Sequence, residues 1–302
     1  MISYLRFRKQ FGPHVAVENL TLDVGRGEAV VLLGPNGSGK TTTLKAAAGL
    51  IRPSAGEVRL GEPGVPAWEP SARRCCSFLP QKVAFPESLS GREVVDFHRV
   101  LRGVEPARTD EVLAFASLNG AGGRAVHTYS GGMVQRLGLA VAMLPDAPVL
   151  LLDEPTAALD PDGLCAFYGL VDRRKSAGKT VLFTTHQLGD AERLADRIAI
   201  LVEGRLVAVF ANRELAERLA DRGLMRLALD SCPETTLESV RRLAARATWN
   251  GHAKELVVPC RAAVRAEVVQ AVRESGAAIR SLVAEEGRLD ALYMELVKEK
   301  GR

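Results

Sequence analysis

Residues 34–42 combine the residue types that bind phosphate, and they stand between the apolar run 29–33 and the helix-forming stretch 44–48. Glycines let such a loop turn tightly, so that backbone N–H groups and the next helix N-terminus converge on phosphate oxygens. A lysine reaches the β- and γ-phosphates, and the hydroxyl after it can ligate Mg²⁺. The residues predicted to contact phosphate or metal here are Gly34, Pro35, Asn36, Gly37, Ser38, Gly39, Lys40, Thr41 and Thr42. The flanking strand and helix favour a P-loop over a glycine-rich turn that matches by chance.

Two acidic side chains follow an apolar run elsewhere in the chain. Residues 149–152 are Val-Leu-Leu-Leu, and Asp153 and Glu154 come directly after them. An uninterrupted aliphatic run between two prolines is typical of a strand buried on both faces of a parallel sheet. A second run, 180–184, repeats the pattern and ends beside Thr185 and His186. Because ligands bind at the carboxyl ends of such strands, the two carboxylates are predicted to lie at the ligand-binding edge.

A third candidate segment begins at residue 129. Ser130 has the position of a helix N-cap, and the apolar residues at 134, 137, 141 and 144 have the spacing of an amphipathic helix. Ser130, Gly131 and Gly132 are therefore predicted to lie at a helix N-terminus, where N–H groups and the helix dipole favour an anion.

The remaining pattern predicts an α/β chain. Strand-like runs over residues 3–33 predict an antiparallel edge that leads into the P-loop strand. Ser90 and Glu93 have the form of a capping box, which begins a mostly helical insertion that continues to about residue 118. Further strands are predicted at 57–60, 75–79, 198–202 and 205–210, the last two as a closing hairpin.

From about residue 213 the pattern changes to a βαβαβα succession of about 90 residues, which is enough for a small α+β domain. Strands are predicted at 224–229, 255–260 and 277–283. Apolar residues at helical spacing predict helices over 237–247, 264–272 and 289–296. No low-complexity linker marks the boundary, which we place between residues 212 and 213.

Composition narrows the function classes. The chain has 302 residues, 47% of them hydrophobic and 25% charged, as in an ordinary globular protein, and its net charge is +4. The charges are interspersed without a basic block, which argues against a nucleic-acid groove and weakly for an acidic partner such as ATP or a membrane surface. No run approaches the ~20 apolar residues of a membrane span, so any membrane role is expected to act through a partner.

The five cysteines do not have the spacing of a disulfide framework or a zinc site, and a reducing cytosol fits them best. They are Cys75, Cys76, Cys165, Cys232 and Cys260. The adjacent pair at 75 and 76 could bind a soft metal, but buried strand residues are the preferred interpretation.

Taken together, these segments resemble the nucleotide-binding subunit of an ABC transporter over about residues 1–212. The family's motifs occur in order: Walker A at 34–42, the Q-loop glutamine Gln81, the signature at 129–133, Walker B at 149–154, the D-loop at 158–160 and the switch histidine His186. The resemblance implies a P-loop ATPase core with a RecA-like mixed sheet, an antiparallel edge subdomain and a helical subdomain at about 82–145. The small C-terminal α+β domain would follow at 213–302.

Family membership would give each residue a role. Thr41 would ligate Mg²⁺, Asp153 would hold the water shell of the ion, and Gln81 would ligate Mg²⁺ or the attacking water. Glu154 would polarise that water as general base. His186 would contact the γ-phosphate, and Gln81 would transmit nucleotide state through the loop 82–90. Phe11 would stack on adenine, with a core phenylalanine as the alternative. A structural role is assumed for the other histidines, His14, His98, His127 and His252.

The signature also implies a partner subunit. By resemblance, Ser130, Gly131 and Gly132 would meet the γ-phosphate bound by Lys40 of an opposing copy, which gives a head-to-tail homodimer around two ATP. Asp160 would lie across that interface, and the dimer would drive a membrane permease from the cytoplasmic face of the inner membrane. Tyr129 and Met133 replace the family's usual leucine and glutamine, and both variants resemble those of ATPases that serve six-helix exporter-type permeases.

At subfamily level the chain resembles the ATPase of the Nos transporter, which supports maturation of nitrous oxide reductase. Residues 78–93, 128–140 and the length of the C-terminal extension carry this resemblance. It would imply movement of copper or a sulfur species, with a periplasmic Nos-type accessory protein. A general drug or lipid exporter is the first alternative, and a non-transport ABC ATPase such as a translation or DNA-repair factor is disfavoured because second cassettes and long insertions are absent from the sequence.

Overall fold

The computed structural model describes residues 1–220, 223–285 and 294. Contacts within the chain divide it into two units, Met1–Phe210 and Ala211–Arg302. Buried apolar clusters lie within the first unit, and the second unit has a buried cluster of its own. No helix in the described part of the chain is long and apolar enough to cross a membrane.

The strands of the first unit are β1 (Ile2–Phe11), β2 (His14–Val24), β3 (Ala29–Leu33), β4 (Ala55–Leu60), β5 (Val65–Pro66), β6 (Cys76–Leu79), β7 (Val149–Leu152), β8 (Thr180–Thr185), β9 (Arg197–Val202) and β10 (Arg205–Ala211). Its helices are α1 (Lys40–Ala47), α2 (Pro70–Arg73), α3 (Gly91–Arg102), α4 (Arg108–Phe115), α5 (Gly131–Met143), α6 (Pro161–Ser176) and α7 (Leu188–Leu194). The alternation of strands and helices confirms the predicted α/β class.

The central sheet has the order β10-β9-β3-β8-β7-β6, and β3 pairs in parallel with both β8 and β9. Every residue of β3, β7 and β8 is buried, which explains their uninterrupted apolar runs, because both faces of the sheet are covered. Glu203 and Gly204, both at positive φ, join β9 to β10, which confirms the predicted hairpin. The carboxyl ends of β3, β7 and β8 therefore meet at one edge.

The second sheet of this unit has the order β2-β1-β4-β5, and β1 pairs antiparallel with β2 and β4. It confirms the predicted antiparallel edge and covers α1. Tyr4 and Phe7 of β1 are fully buried in one cluster with Leu44 of α1. The Tyr4 hydroxyl donates to the Thr43 carbonyl at 3.0 Å, so the buried phenol is satisfied by the helix that it packs against.

The helices α3, α4 and α5 share a separate core that includes Val95, Leu113 and Leu137. The capping box is confirmed: Ser90 Oγ accepts from the Glu93 N–H, and the Glu93 carboxylate accepts from the Ser90 N–H. The predicted helical stretch is divided into α3 and α4, because Gly103 takes a left-handed conformation (φ 63°) and ends α3.

The second unit contains α8 (Asn212–Ala220), β11 (Leu224–Leu229), α9 (Glu234–Leu243), β12 (Thr248–Asn250), β13 (Glu255–Pro259), α10 (Arg265–Glu274) and β14 (Ile279–Glu285). Its strands form a sheet of order β12-β13-β11-β14, and the pairs are antiparallel. The sequence did not predict α8 or β12. The predicted final helix, with Leu289, Leu292 and Leu296, lies outside the described residues. The domain assignment 1–212 and 213–302 stays a prediction.

Candidate functional site

The P-loop joins β3 to α1, and its shape depends on close packing at two glycines. A Cβ on Gly34 would lie 2.2 Å from the Leu201 carbonyl oxygen, and Gly39, at φ 97°, precedes the first helical residue. The Lys40 ammonium donates to the carbonyls of Gly34 (2.7 Å) and Pro35 (3.0 Å). Burial lowers the pKa of Lys40, and the carboxylates of Glu154 and Asp153 oppose that shift.

Asp153 follows β7 and is buried beside two hydroxyls. Its Oδ1 accepts from Thr41 Oγ1 at 3.1 Å and from Thr184 Oγ1 at 2.7 Å. Its Oδ2 is buried and has no hydrogen-bond partner among the residues that the structure describes. A carboxylate oxygen in that position next to a threonine hydroxyl is the oxygen-rich environment that Mg²⁺ prefers, so the residues present fit this ion.

Glu154 brings together three of the predicted catalytic residues. Its Oε2 accepts from Gln81 Nε2 at 3.0 Å and lies 3.5 Å from His186 Nδ1. Its backbone is in the left-handed region (φ 46°), which is strained for a glutamate, and its N–H donates to Thr184 Oγ1 at 2.8 Å. The hydroxyl of Thr184 therefore positions Asp153 and Glu154 together.

Thr184 is a residue of this site that the sequence analysis missed as a functional position. One signal was available in the sequence: a threonine near the end of a strand predicted to be buried, where a hydroxyl without a hydrogen-bond partner would destabilise the fold. Its partners are 30 and 31 positions away in the sequence, so the pattern alone could not pair them.

A cleft of about 430 Å³ opens along the P-loop. The predicted residues that line it are Phe11, Asn36, Gly37, Ser38, Gly39, Lys40, Thr41, Thr42, Gln81 and Glu154. Phe11 is 48% exposed, with the Lys9 ammonium 4.8 Å from its ring centre, so the alternative of a core phenylalanine is wrong. His14, to which we assigned a structural role, also lines the cleft.

The signature residues and Asp160 are not among the lining residues of this cleft. Ser130 caps α5, as predicted, by accepting from the Met133 N–H at 3.2 Å. A Cβ on Gly132 would lie 2.9 Å from the Ala158 carbonyl, so the signature and the D-loop pack together. Asp160 caps α6 by accepting from the Gly163 N–H at 2.9 Å.

Comparison with known proteins identifies a family to which a P-loop site of this kind belongs. The profile of the family described as ABC transporter matches residues 17–157. The daunorubicin resistance ATP-binding protein DrrA3 of Streptomyces coeruleorubidus is 33% identical over 97% of this chain and 95% of its own length. The chain belongs to the ABC transporter family. It is the ATP-binding, ATP-hydrolysing type of subunit, for which ATP and Mg²⁺ are the general cofactors.

One further sequence relative and one solved structure are similar to this ABC protein. The linearmycin resistance ATP-binding protein LnrL of Bacillus subtilis (strain 168) is 28% identical over 98% of both chains. A dimeric post-hydrolysis structure of the ATP-binding cassette MJ0796, bound to ADP and Pi, has a TM-score of 0.65 and 28% identity. That match covers 70% of this chain and 99% of the cassette, and it confirms the P-loop ATPase fold.

Tyr129 links the signature to two other segments of this ABC protein. Its hydroxyl donates to the Ala121 carbonyl at 2.8 Å. A Cβ on Gly91 would lie 2.2 Å from the same hydroxyl oxygen, so the tyrosine occupies space that only glycine leaves free at the start of α3. The phenol thus links the signature to the helix that follows the loop 82–90.

Proposed function

We propose that this chain is the ATP-hydrolysing subunit of an ABC exporter, working as a head-to-tail homodimer that encloses two ATP and drives a six-helix-type permease from the cytoplasmic face of the membrane. One observation carries the proposal: Gln81 Nε2 and His186 Nδ1 both lie within 3.5 Å of the Glu154 carboxylate. This carboxylate lies at the same edge of the central sheet as Lys40 and Asp153.

The chemistry follows from the arrangement. Glu154 is the general base for the attacking water, Gln81 and His186 orient its carboxylate, and Lys40 holds the phosphates. Thr41, Asp153 and Gln81 are the residues that would hold Mg²⁺, which, when bound, neutralises charge on the phosphoryl oxygens. The left-handed backbone of Glu154 aims its side chain into the cleft that Phe11 borders, where adenine would stack.

The dimer is supported by the position of the signature. Ser130, Gly131 and Gly132 begin α5 and are not lining residues of the cleft of their own chain, so a phosphate at this helix N-terminus would come from a second copy. Asp160 would lie at the same interface. The MJ0796 cassette, whose fold this chain shares, is described as dimeric.

The permease contact is supported by an exposed apolar surface on α3. Phe97, Val100 and Leu101 are 57%, 65% and 67% exposed, an unusual clustering for one helix. The helix begins just after the loop 82–90, which is connected to Gln81. A permease segment bound to this surface would therefore be connected, through the loop 82–90, to the glutamine that contacts Glu154.

A drug or lipid exporter is the transporter class that we favour. Both of the relatives named above, which cover nearly the whole chain, are named for resistance to linearmycin or daunorubicin, and this supports an exporter. The Nos-type function, with copper or sulfur cargo and a periplasmic accessory protein, is the second candidate. It rests on the resemblance of residues 78–93 and 128–140 to that ATPase, and the relatives named above do not favour it.

The experiment uses Glu154→Gln, which keeps the size of the side chain but removes the base. We expect ATP turnover to fall about 10²–10⁴-fold while ATP binding and a trapped dimer remain. Turnover at the wild-type rate would exclude Glu154 as the base.

The trapped Glu154→Gln variant, tagged in solubilised membranes of the native host with Mg-ATP, also identifies the partner. Co-purification of a polytopic permease supports the exporter, and an additional periplasmic Nos-type protein would select the second candidate. Ribosomes or DNA in place of a permease would overturn the transport function. The matched control is the double variant Glu154→Gln with Ser130→Arg, which should bind ATP without trapping the dimer.

A further inference from the structure

A buried hydrogen-bond cluster lies beside the proposed catalytic residues but outside the cleft. Asp190, on α7, is 3% exposed. Its Oδ2 accepts from Thr156 Oγ1 at 2.6 Å, and its Oδ1 accepts from Tyr168 Oη at 2.7 Å. Both carboxylate oxygens are thus satisfied by short hydrogen bonds, which are the strong kind when the acceptor is charged.

The three side chains come from three parts of the chain. Thr156 lies two residues after Glu154, in the segment that leads from β7 to α6, and Tyr168 lies on α6. Asp190 lies four residues after His186, on the helix that follows β8. The hydrogen bond between Thr156 and Asp190 therefore joins the backbone just beyond the general base to the backbone just beyond the switch histidine.

Both catalytic side chains need such support. Glu154 has a strained left-handed backbone, which persists only where neighbouring groups determine it. On one side its N–H donates to Thr184 Oγ1. On the other side the Pro155 carbonyl accepts from Gln135 Nε2 at 3.4 Å, and the next residue, Thr156, is buried and donates to Asp190. The His186 side chain is 53% exposed, so its placement depends mainly on the start of α7, where Thr185 Oγ1 accepts from the Gln187 N–H at 3.0 Å.

We propose that Asp190 is a positioning residue, which acts through Thr156 to hold Glu154 and His186 at the separation that hydrolysis requires. The proposal rests on the catalytic roles given to these two residues under the proposed function. ATP affinity is not involved, because the P-loop and Phe11 bind the nucleotide and do not contact this cluster. Loss of the Thr156 hydrogen bond therefore slows the chemical step and leaves substrate binding unchanged.

The test is a set of matched single variants of the full chain, assayed for kcat, for the KM of ATP and for thermal unfolding. Thr156→Val removes the hydroxyl at constant volume and should lower kcat about 10-fold to 100-fold with KM changed less than about twofold, since small misplacement of catalytic groups costs up to that much. Thr156→Ser restores the hydroxyl and should restore kcat. Tyr168→Phe removes a hydrogen bond of similar length to the same carboxylate from α6, and should lower the unfolding temperature with kcat within about twofold of the wild type.

Equal losses of kcat and of unfolding temperature in Thr156→Val and Tyr168→Phe would overturn the proposal, because the cluster would then be only structural. Failure of Thr156→Ser to restore kcat would also overturn it. If Thr156→Val does not fold, Thr156→Ala, which also removes the hydroxyl, replaces it, with the same expected kcat loss at unchanged KM. Failure of the proposed function is distinguishable, since it would appear as wild-type turnover by Glu154→Gln in the same assay.

Discussion

Two glycine segments of this chain are proposed to contact the same phosphate, but the first glycine of the P-loop, Gly34, and the first glycine of the signature, Gly131, have different surroundings. In the P-loop, a Cβ on Gly34 would lie 2.2 Å from the Leu201 carbonyl and 2.5 Å from Ser38 Oγ. In the signature, a Cβ on Gly131 would meet no atom of the described residues within 4 Å. Gly34 is required by the packing of its own chain, whereas the space beside Gly131 is open, which the proposed contact with a phosphate of a second copy would need.

The polar groups of the two segments differ in the same way. Around the P-loop, Thr41 and Thr184 donate to Asp153, so α1, β7 and β8 are hydrogen-bonded to one another. At the signature, the Ser130 side chain only caps its own helix. The P-loop half of the site is thus assembled within one chain, and the signature half has a helix N-terminus, which we propose meets a phosphate bound by a second copy.

The largest expected effect tests whether the signature acts on the partner's ATP. Ser130→Arg should lower kcat at least about 10²-fold, because it blocks donors aimed at the transferring phosphate, while ATP binding by the monomer is unchanged. Mixing this variant with Lys40→Met sharpens the test. A mixed dimer contains one site with an intact Lys40 and an intact Ser130 from opposite chains, so measurable turnover should return. If both motifs acted within one chain, the mixture would stay inactive, and loss of ATP binding by Ser130→Arg alone would also contradict the assignment.

A second experiment compares the two glycines directly. Gly34→Ala should lower the free energy of unfolding by about 1–3 kcal/mol or more, because backbone atoms block the new methyl group, and ATP binding should weaken with it. Gly131→Ala should leave the free energy of unfolding within about 0.5 kcal/mol of the wild-type value, apart from its helix propensity. Urea unfolding and binding of a fluorescent ATP analogue measure both. Equal destabilisation by the two substitutions would remove the distinction between the segments.

The P-loop half was predictable from the sequence because each of its parts is a continuous segment with a recognisable period. The aliphatic runs ending at Leu33 and Leu152 had to be strands buried on both faces, and this placed Lys40 and Asp153 at one edge. The role of Thr184 and the exposure of Phe11 were not predictable with certainty, since both depend on contacts between distant parts of the chain.

The second unit shows a different limit. Its strands and helices with alternating or helical periods, such as β11 and α10, were predicted within a few residues. Strand β12 could not be predicted, because three residues are too few to display a period.

The smallest expected effect concerns the charge of Lys40 within the P-loop half. Burial places the pKa of Lys40 in the folded chain below its ordinary 10.5, so between these two values the unfolded chain binds more protons than the folded chain. This group therefore makes stability rise with pH across that window. Lys40→Met lacks the group, so the free energy of unfolding of the wild type minus that of the variant should increase as pH rises towards 10.5.

Urea unfolding of both proteins over this pH range measures the difference, and saturating Mg-ATP provides the control. Bound phosphates stabilise the charged ammonium and raise its pKa, so the nucleotide should flatten the wild-type slope. A difference that stays constant with pH in the free chains would mean that burial does not penalise the ammonium. The P-loop half would then resemble the signature half, because neither would lower the stability of its own chain in order to bind a charged phosphate.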